Sequence, residues 1–129
     1  MIVLDASAAV ELLAESRLGR RVEQLLRADH ALAPEVLDVE VTSTLARLVR
    51  AGTLTDEVAT SRVRALQRLP VQRLPHRPLV ARAWQLRDRV RISDAFYLAC
   101  AELVGASLVT TDARLGRAAL QGVTITVVS

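Results

Sequence analysis

A chain of 129 residues, 51% of them hydrophobic, is long enough to bury one sizeable core but not two of ordinary size, so a single domain over residues 1–129 is expected. The net charge is +3 and all 17 basic residues are arginine, which suits bidentate contact with phosphate, although a coding bias that replaces Lys by Arg gives the same composition. One Phe, one Tyr and one Trp argue against a base-stacking platform, and the absence of a long apolar run or a basic-then-apolar leader predicts a soluble, cytoplasmic protein without a membrane segment.

Ile2-Val3-Leu4 predicts a short buried strand ending at Asp5, with Ser7 placed to cap a helix that carries Ala9, Val10, Leu12 and Leu13. Leu18, Val22, Leu25 and Leu26 give a second helix, interrupted at Asp29-His30, and Ala31-Leu32-Ala33 a second strand closed by Pro34. Leu37, Val41, Leu45 and Leu48 recur at helical spacing from Glu35 to Arg50, with Ala51-Gly52 as the stop. Thr55 caps the next helix, which runs towards Pro70, and Val71–Leu74 is a weaker strand candidate. Pro78 opens a helix with Leu79, Ala83, Trp84, Leu86 and Val90.

Ser93 is placed as the N-cap of a helix from Asp94 to about Val104, stopped by Gly105. Cys100, the single cysteine, falls inside that apolar helix, a setting for a buried and unreactive thiol. Ser107 to Thr111 is a strand followed directly by Asp112. A last short helix holds Leu115, Ala118, Ala119 and Leu120, and Val123 to Val128 forms the final strand. Apolar strands alternating with helices predict right-handed crossovers and a parallel sheet covered on both faces, a three-layer α/β/α sandwich.

In such a sheet the ligand site lies beyond the carboxyl ends of the strands, where strand order reverses, which puts Asp5 and Asp112 on one rim. Asp94 adds a third carboxylate at the first turn of a helix. Ionised carboxylates brought together repel, so the cluster needs protons or a cation, and oxygen donors without Cys or a well-placed His favour Mg²⁺ or Mn²⁺ over zinc. A fourth acid is expected from the helix over residues 35–50. Glu35 faces away from its apolar stripe, and periodicity does not choose between Asp38 and Glu40, which flank it on opposite sides.

Four segments together carry a family resemblance. Ile-Val-Leu-Asp5-Ala-Ser7-Ala, Ala33-Pro34-Glu35-Val36-Leu37-Asp38-Val39-Glu40-Val41, Ser93-Asp94-Ala95-Phe96-Tyr97-Leu98-Ala99 and Val109-Thr110-Thr111-Asp112-Ala113-Arg114-Leu115 occur in order along the chain. They resemble the four motifs of the PIN-domain ribonucleases, and among these the VapC toxins of bacterial toxin–antitoxin modules. The resemblance covers essentially the whole chain and selects Glu40 as the fourth acid.

It implies a PIN-like fold, usually a homodimer, with Asp5, Glu40, Asp94 and Asp112 as catalytic residues that hold one or two Mg²⁺ ions, Mn²⁺ being an alternative. The hydroxyls of Ser7 and Thr110 would steer Asp5 or a metal-bound water. The implied activity is metal-dependent hydrolysis of structured RNA such as transfer or ribosomal RNA. The implied partner is a VapB-like antitoxin, seated on the early helices around Val10–Leu13 and Val22–Leu26. Setting the four acids aside raises the formal charge from +3 by four units, and Arg114 and Arg117 are the arginines nearest in sequence to Asp112. Three other readings compete: a phosphoacceptor domain, which would want a lysine that this chain lacks, a PIN nuclease of routine RNA processing, and a non-enzymatic antitoxin-binding co-repressor.

Overall fold

The computed structural model describes residues 1–118 and 120–129. Five strands, β1 (Ile2–Leu4), β2 (Ala31–Pro34), β3 (Gln72–Leu74), β4 (Ser107–Thr110) and β5 (Ile125–Val127), form one sheet in the order β3-β2-β1-β4-β5. Every pairing is parallel, with Val3 opposite both Leu32 and Leu108. The helices are α1 (Ala6–Leu13), α2 (Arg17–Ala28), α3 (Val36–Arg50), α4 (Asp56–Arg68), α5 (Val80–Gln85), α6 (Ile92–Val104) and α7 (Ala113–Gly116).

The chain runs outward from β1 to β3, then crosses back to β4 on the other side of β1. Right-handed crossovers therefore put α1–α4 on one face and α5–α7 on the other, the three-layer sandwich expected from the sequence. Strand order reverses between β1 and β4. Val3, Leu4, Leu108 and Val109 fill the middle of the sheet and are almost fully buried, with Leu37 and Val41 of α3 and Leu98 of α6 also in the core. Strands covered on both faces need apolar residues at every position, which is why these short runs do not alternate.

Several boundaries differ from expectation. Asp5, in extended conformation, is the N-cap of α1, so Ser7 lies inside the first turn and its hydroxyl turns elsewhere. Likewise Arg91 is the N-cap of α6, and Ser93 is a first-turn residue. The helix expected from Pro78 to Val90 begins as a 3₁₀ turn (Arg77–Leu79) and ends at Gln85. Beyond it the bonds from Arg87 N–H to the Trp84 carbonyl and from Arg89 N–H to the Leu86 carbonyl span three residues, a tighter turn that brings Leu86 into the core. α7 ends at Gly116, short of Ala118 and Leu120, while Ala119 lies outside the described residues. Ser16 and Thr55 cap α2 and α4, accepting from Gly19 and Val58 N–H. Cys100 is buried, which pushes its thiol up to about 11. No helix among the described residues is long and apolar enough to cross a membrane.

α1 and α2 pack closely because Gly19 has no side chain. A Cβ there would stand 2.0 Å from the Glu11 carbonyl oxygen and 3.0 Å from the Leu12 Cα, both backbone atoms that cannot swing away. Gly19→Ala should therefore push α2 off α1 and lower the unfolding free energy by about 1–3 kcal/mol, despite the better helix propensity of Ala. Urea denaturation followed by circular dichroism checks this; unchanged stability would mean that the two helices part freely.

Candidate active site

The four acids named from sequence all line one cleft of about 570 Å³ at the carboxyl end of the sheet. β1 delivers Asp5 and β4 delivers Asp112, on the two sides of the strand-order reversal. α3 contributes Glu40 and α6 contributes Asp94. Five acids, counting Glu11, face only two arginines, Arg47 and Arg91, in its wall.

Asp5 is only 5% exposed. The Ser7 hydroxyl donates to its Oδ2 at 2.6 Å, and the buried Thr110 hydroxyl donates to the same oxygen at 2.7 Å. Each hydroxyl has one proton and both are used here, so the 3.1 Å approach of Ser7 Oγ to Thr110 Oγ1 is a contact between acceptors. Those oxygens in turn accept the backbone N–H groups of Thr111 and Asp112, each at 3.0 Å. Burial raises the Asp5 carboxyl above its usual range; the two hydroxyls work against that rise, and the charge of Asp94 adds to it.

Glu40 sits half-buried, and its Oε1 is a buried atom without a hydrogen-bond partner. Desolvation is again the main cause of a raised carboxyl pKa, and the charges of Asp5 and Asp94 push the same way. The Tyr97 hydroxyl, buried beside it, also closes no hydrogen bond of good geometry, although its proximity moderates the rise in Glu40. Burial lifts the Tyr97 phenol far above its ordinary value, so it stays protonated and is a donor waiting for an acceptor.

The structure separates Glu40 from Asp38, which periodicity did not. Arg73 of β3 grips Asp38 with Nη2 to Oδ1 at 2.9 Å and Nε to Oδ2 at 3.2 Å, and donates to the Leu66, Leu69 and Val71 carbonyls as well. Asp38 thus ties α3 to β3, and Glu35 is exposed where α3 begins. The two histidines stand aside: His76 Nε2 accepts the Val36 N–H at 2.8 Å, and His30 is exposed.

Asp94 and Asp112 are held at the rim by arginines. Arg91 Nε lies 3.2 Å from Asp94 Oδ2, and Arg114 Nη2 lies 3.1 Å from Asp112 Oδ2. Asp112 also caps α7 through the Arg114 N–H at 2.8 Å, and this neighbour holds its carboxyl below the ordinary range. Of the two arginines picked from sequence, Arg114 stands beside the site and Arg117 lines no part of the cleft. Sequence reasoning missed Tyr97, Arg47 and Arg91. Tyr97 was findable, because it follows Asp94 by three residues and so shares its helix face.

With the side chains so placed, no three Asp, Glu, His or Cys groups among the described residues converge tightly enough to grip an ion. The donor chemistry nevertheless fits a hard cation. The wall offers carboxylate and hydroxyl oxygens and no His or Cys, one carboxylate oxygen is buried and unpartnered, and three of the acids raise or are raised by one another's charge.

The PIN-domain family profile matches residues 2–120. The chain is 40% identical over 117 residues to Ribonuclease VapC12 of Mycobacterium tuberculosis, covering 91% of each chain. It is 42% identical over 118 residues to Ribonuclease VapC3 of the same organism, covering 91% of this chain and 86% of that one. Among solved structures, PAE2754 from Pyrobaculum aerophilum superimposes with a TM-score of 0.72 at 22% identity, over 96% of this chain and 82% of that one. A toxin–antitoxin complex from Klebsiella pneumoniae does so with a TM-score of 0.72 at 18% identity, over 100% and 98%; at such identities both likenesses speak for the fold alone. With that fold and identities of about 40% to named relatives across nearly its whole length, the chain belongs to the PIN-domain family, among the VapC ribonucleases.

Proposed function

We propose that the protein is a metal-dependent endoribonuclease that acts as the toxin of a VapBC-type toxin–antitoxin pair. The observation that carries the reading is the shared cleft of Asp5, Glu40, Asp94 and Asp112, with Glu40 Oε1 buried and unpartnered, in a chain so similar to VapC ribonucleases. The four acids would hold Mg²⁺, or Mn²⁺ in its place, and the substrate would be a structured RNA such as transfer or ribosomal RNA. When bound, such an ion supplies charge neutralisation and water activation for phosphodiester hydrolysis.

The chain's own residues do the rest. Ser7 and Thr110 hold Asp5 in one orientation. Glu40, its Oε1 unpartnered in the cleft, is placed to take the proton of an attacking water while the P–O bond breaks and the leaving oxygen takes a proton from solvent. Protonated Tyr97 beneath it can donate to the Glu40 carboxylate and keep it aimed.

The antitoxin would seat on an apolar groove of about 630 Å³ lined by Leu12, Leu13 and Leu26 together with Ala65, Leu69 and Pro70 of the α4 end. Of the early-helix residues put forward from sequence, Val22 is fully buried and Val10 lines the acidic cleft, so the contact would fall on the leucines. A homodimer and a cytoplasmic setting belong to the same proposal; Val80 and Trp84, one turn apart on α5 and both exposed, suit a subunit contact.

Incubated with total cellular RNA and Mg²⁺, the purified protein should give discrete fragments that vanish with EDTA. In Asp5→Asn the rate should fall by about 100-fold or more, and Mg²⁺ should no longer raise the melting temperature. A folded, antitoxin-free protein that neither cuts RNA nor binds metal by calorimetry would leave the co-repressor reading. Ser7→Ala, which takes one hydroxyl from Asp5, should cost about 10–100-fold in cleavage or metal affinity.

The raised carboxyls also predict a pH dependence. Asp5 and Glu40 hold protons more tightly folded than unfolded, so in EDTA their contribution to stability falls as pH rises from about 4 through their folded-state values. Asp112, whose carboxyl is lowered, acts oppositely: its contribution is lost as pH falls through its folded value, below that window. Glu40→Gln should therefore melt above the wild type at neutral pH in EDTA and flatten the decline. Identical melting curves across pH 4–8 would show that ionising these buried carboxyls costs the fold nothing.

A further inference from the structure

A second cleft, of about 440 Å³, adjoins the acidic one and has the opposite sign: Arg87, Arg89, Arg91 and Arg114 face Asp88 and Asp94 across it. Arg91 and Asp94 line both clefts, so the two form a continuous surface. The arginines come from the tight turn that ends α5 early, from the N-cap of α6 and from α7. Arg87 is prepositioned there, with its guanidinium 4.2 Å above the exposed Trp84 ring and Nη1 donating to the Trp84 carbonyl at 2.9 Å. Arg91 and Arg114 present exposed side chains whose carboxylate partners both belong to the acidic cleft.

We propose that this arginine cleft is the track for the RNA backbone, holding phosphates next to the scissile bond through Arg87, Arg89, Arg91 and Arg114. The inference rests on the ribonuclease reading and adds a binding surface to it. A wall of five acids against two arginines gives a polyanion little hold of its own, so a phosphodiester presented there gains from having its neighbouring phosphates held from the side. The adjoining wall of four arginines against two acids supplies that hold, and guanidinium forks match phosphate oxygens in pairs. With few aromatic residues in the chain, backbone charge is also the means left for grip.

The test is fluorescence anisotropy of a labelled single-stranded RNA of about 20 nucleotides, in EDTA so that it stays uncut, titrated with the full chain at several salt concentrations. Arg87→Ala/Arg89→Ala should weaken binding by about tenfold or more, and flatten the slope of log affinity against log salt by about 1.4, at about 0.7 per lost phosphate contact on a single strand. Arg50→Ala/Arg64→Ala, on α3 and α4, should match the wild type. In Mg²⁺ the cleft variant should raise KM and leave kcat nearly unchanged. In case the double variant does not fold, Arg87→Gln and protection of the wild-type arginines from phenylglyoxal by RNA, read by mass spectrometry, ask the same question. A wild-type slope in the cleft variants, or no protection of Arg87 and Arg89, overturns the track and leaves the nuclease reading standing. Weakened antitoxin binding with RNA binding untouched also overturns it, giving the cleft to a protein partner. A wild-type chain that neither binds nor cuts RNA overturns both.

Discussion

Asp5 is a carboxylate sealed at the place where the sheet changes direction, and much of the molecule is arranged around keeping it there. A buried charge must be hydrogen-bonded to be tolerable. Its two hydroxyl donors come from the first turn of α1 and the last residue of β4, and their oxygens accept the N–H groups of Thr111 and Asp112. One short network therefore fixes the exits of β1 and β4 relative to each other. The Asp5 N–H also donates to the Val109 carbonyl at 2.9 Å, so backbone and side chain of the same residue bridge the two strands. Asp112 leaves β4 in a set direction because the residue before it, Thr111, is anchored on Ser7.

The strands and their acids were legible in the sequence for a simple reason. A parallel sheet covered on both faces needs apolar runs, and an acid at the end of such a run stands out against them. Asp5 and Asp112 were placed by that contrast alone. Glu40 was not, since helical spacing gives an angle and not a neighbour. What decides against Asp38 is Arg73, which is 35 residues further on and clamps it across the α3–β3 junction. Ser7 and Ser93 suit an N-cap by their position relative to the apolar run, whereas the chain turns helical two residues earlier in both cases. For Ser7, the hydroxyl that would have capped the helix serves Asp5 instead. The apolar spacing predicts a helix that runs on to Val90, and only the early end of α5 turns Arg87 and Arg89 into one wall with Arg91.

The repulsion in the acidic cleft is the same energy seen from two sides. In the cation-free chain it adds to burial, the larger cause, in disfavouring ionised Asp5 and Glu40. Toward a divalent ion of the kind proposed it would become affinity, because each carboxylate relieved of its neighbours would contribute to binding. A fold that held these acids fully neutralised by its own side chains would be steadier and would have nothing to offer a cation. Glu40 Oε1, buried and unpartnered, is where that compromise is most visible.

The partners of the remaining two acids follow the same logic. Asp94 and Asp112 are paired with arginines whose side chains are 63% and 66% exposed, the kind of ion pair that water and salt largely screen. Exchanging such a partner costs little, in contrast to breaking the clamp of Arg73 on Asp38, where three backbone carbonyls would each lose a donor as well. The deeper pair holds the fold and the shallow pairs guard the rim. Both shallow pairs sit where the two clefts meet, so an ion of the kind proposed, by competing for Asp94 and Asp112, would loosen Arg91 and Arg114 for phosphate. Opposite charges along one edge thus become sites for opposite ligands, a cation and a polyanion, whose binding would be mutually favourable.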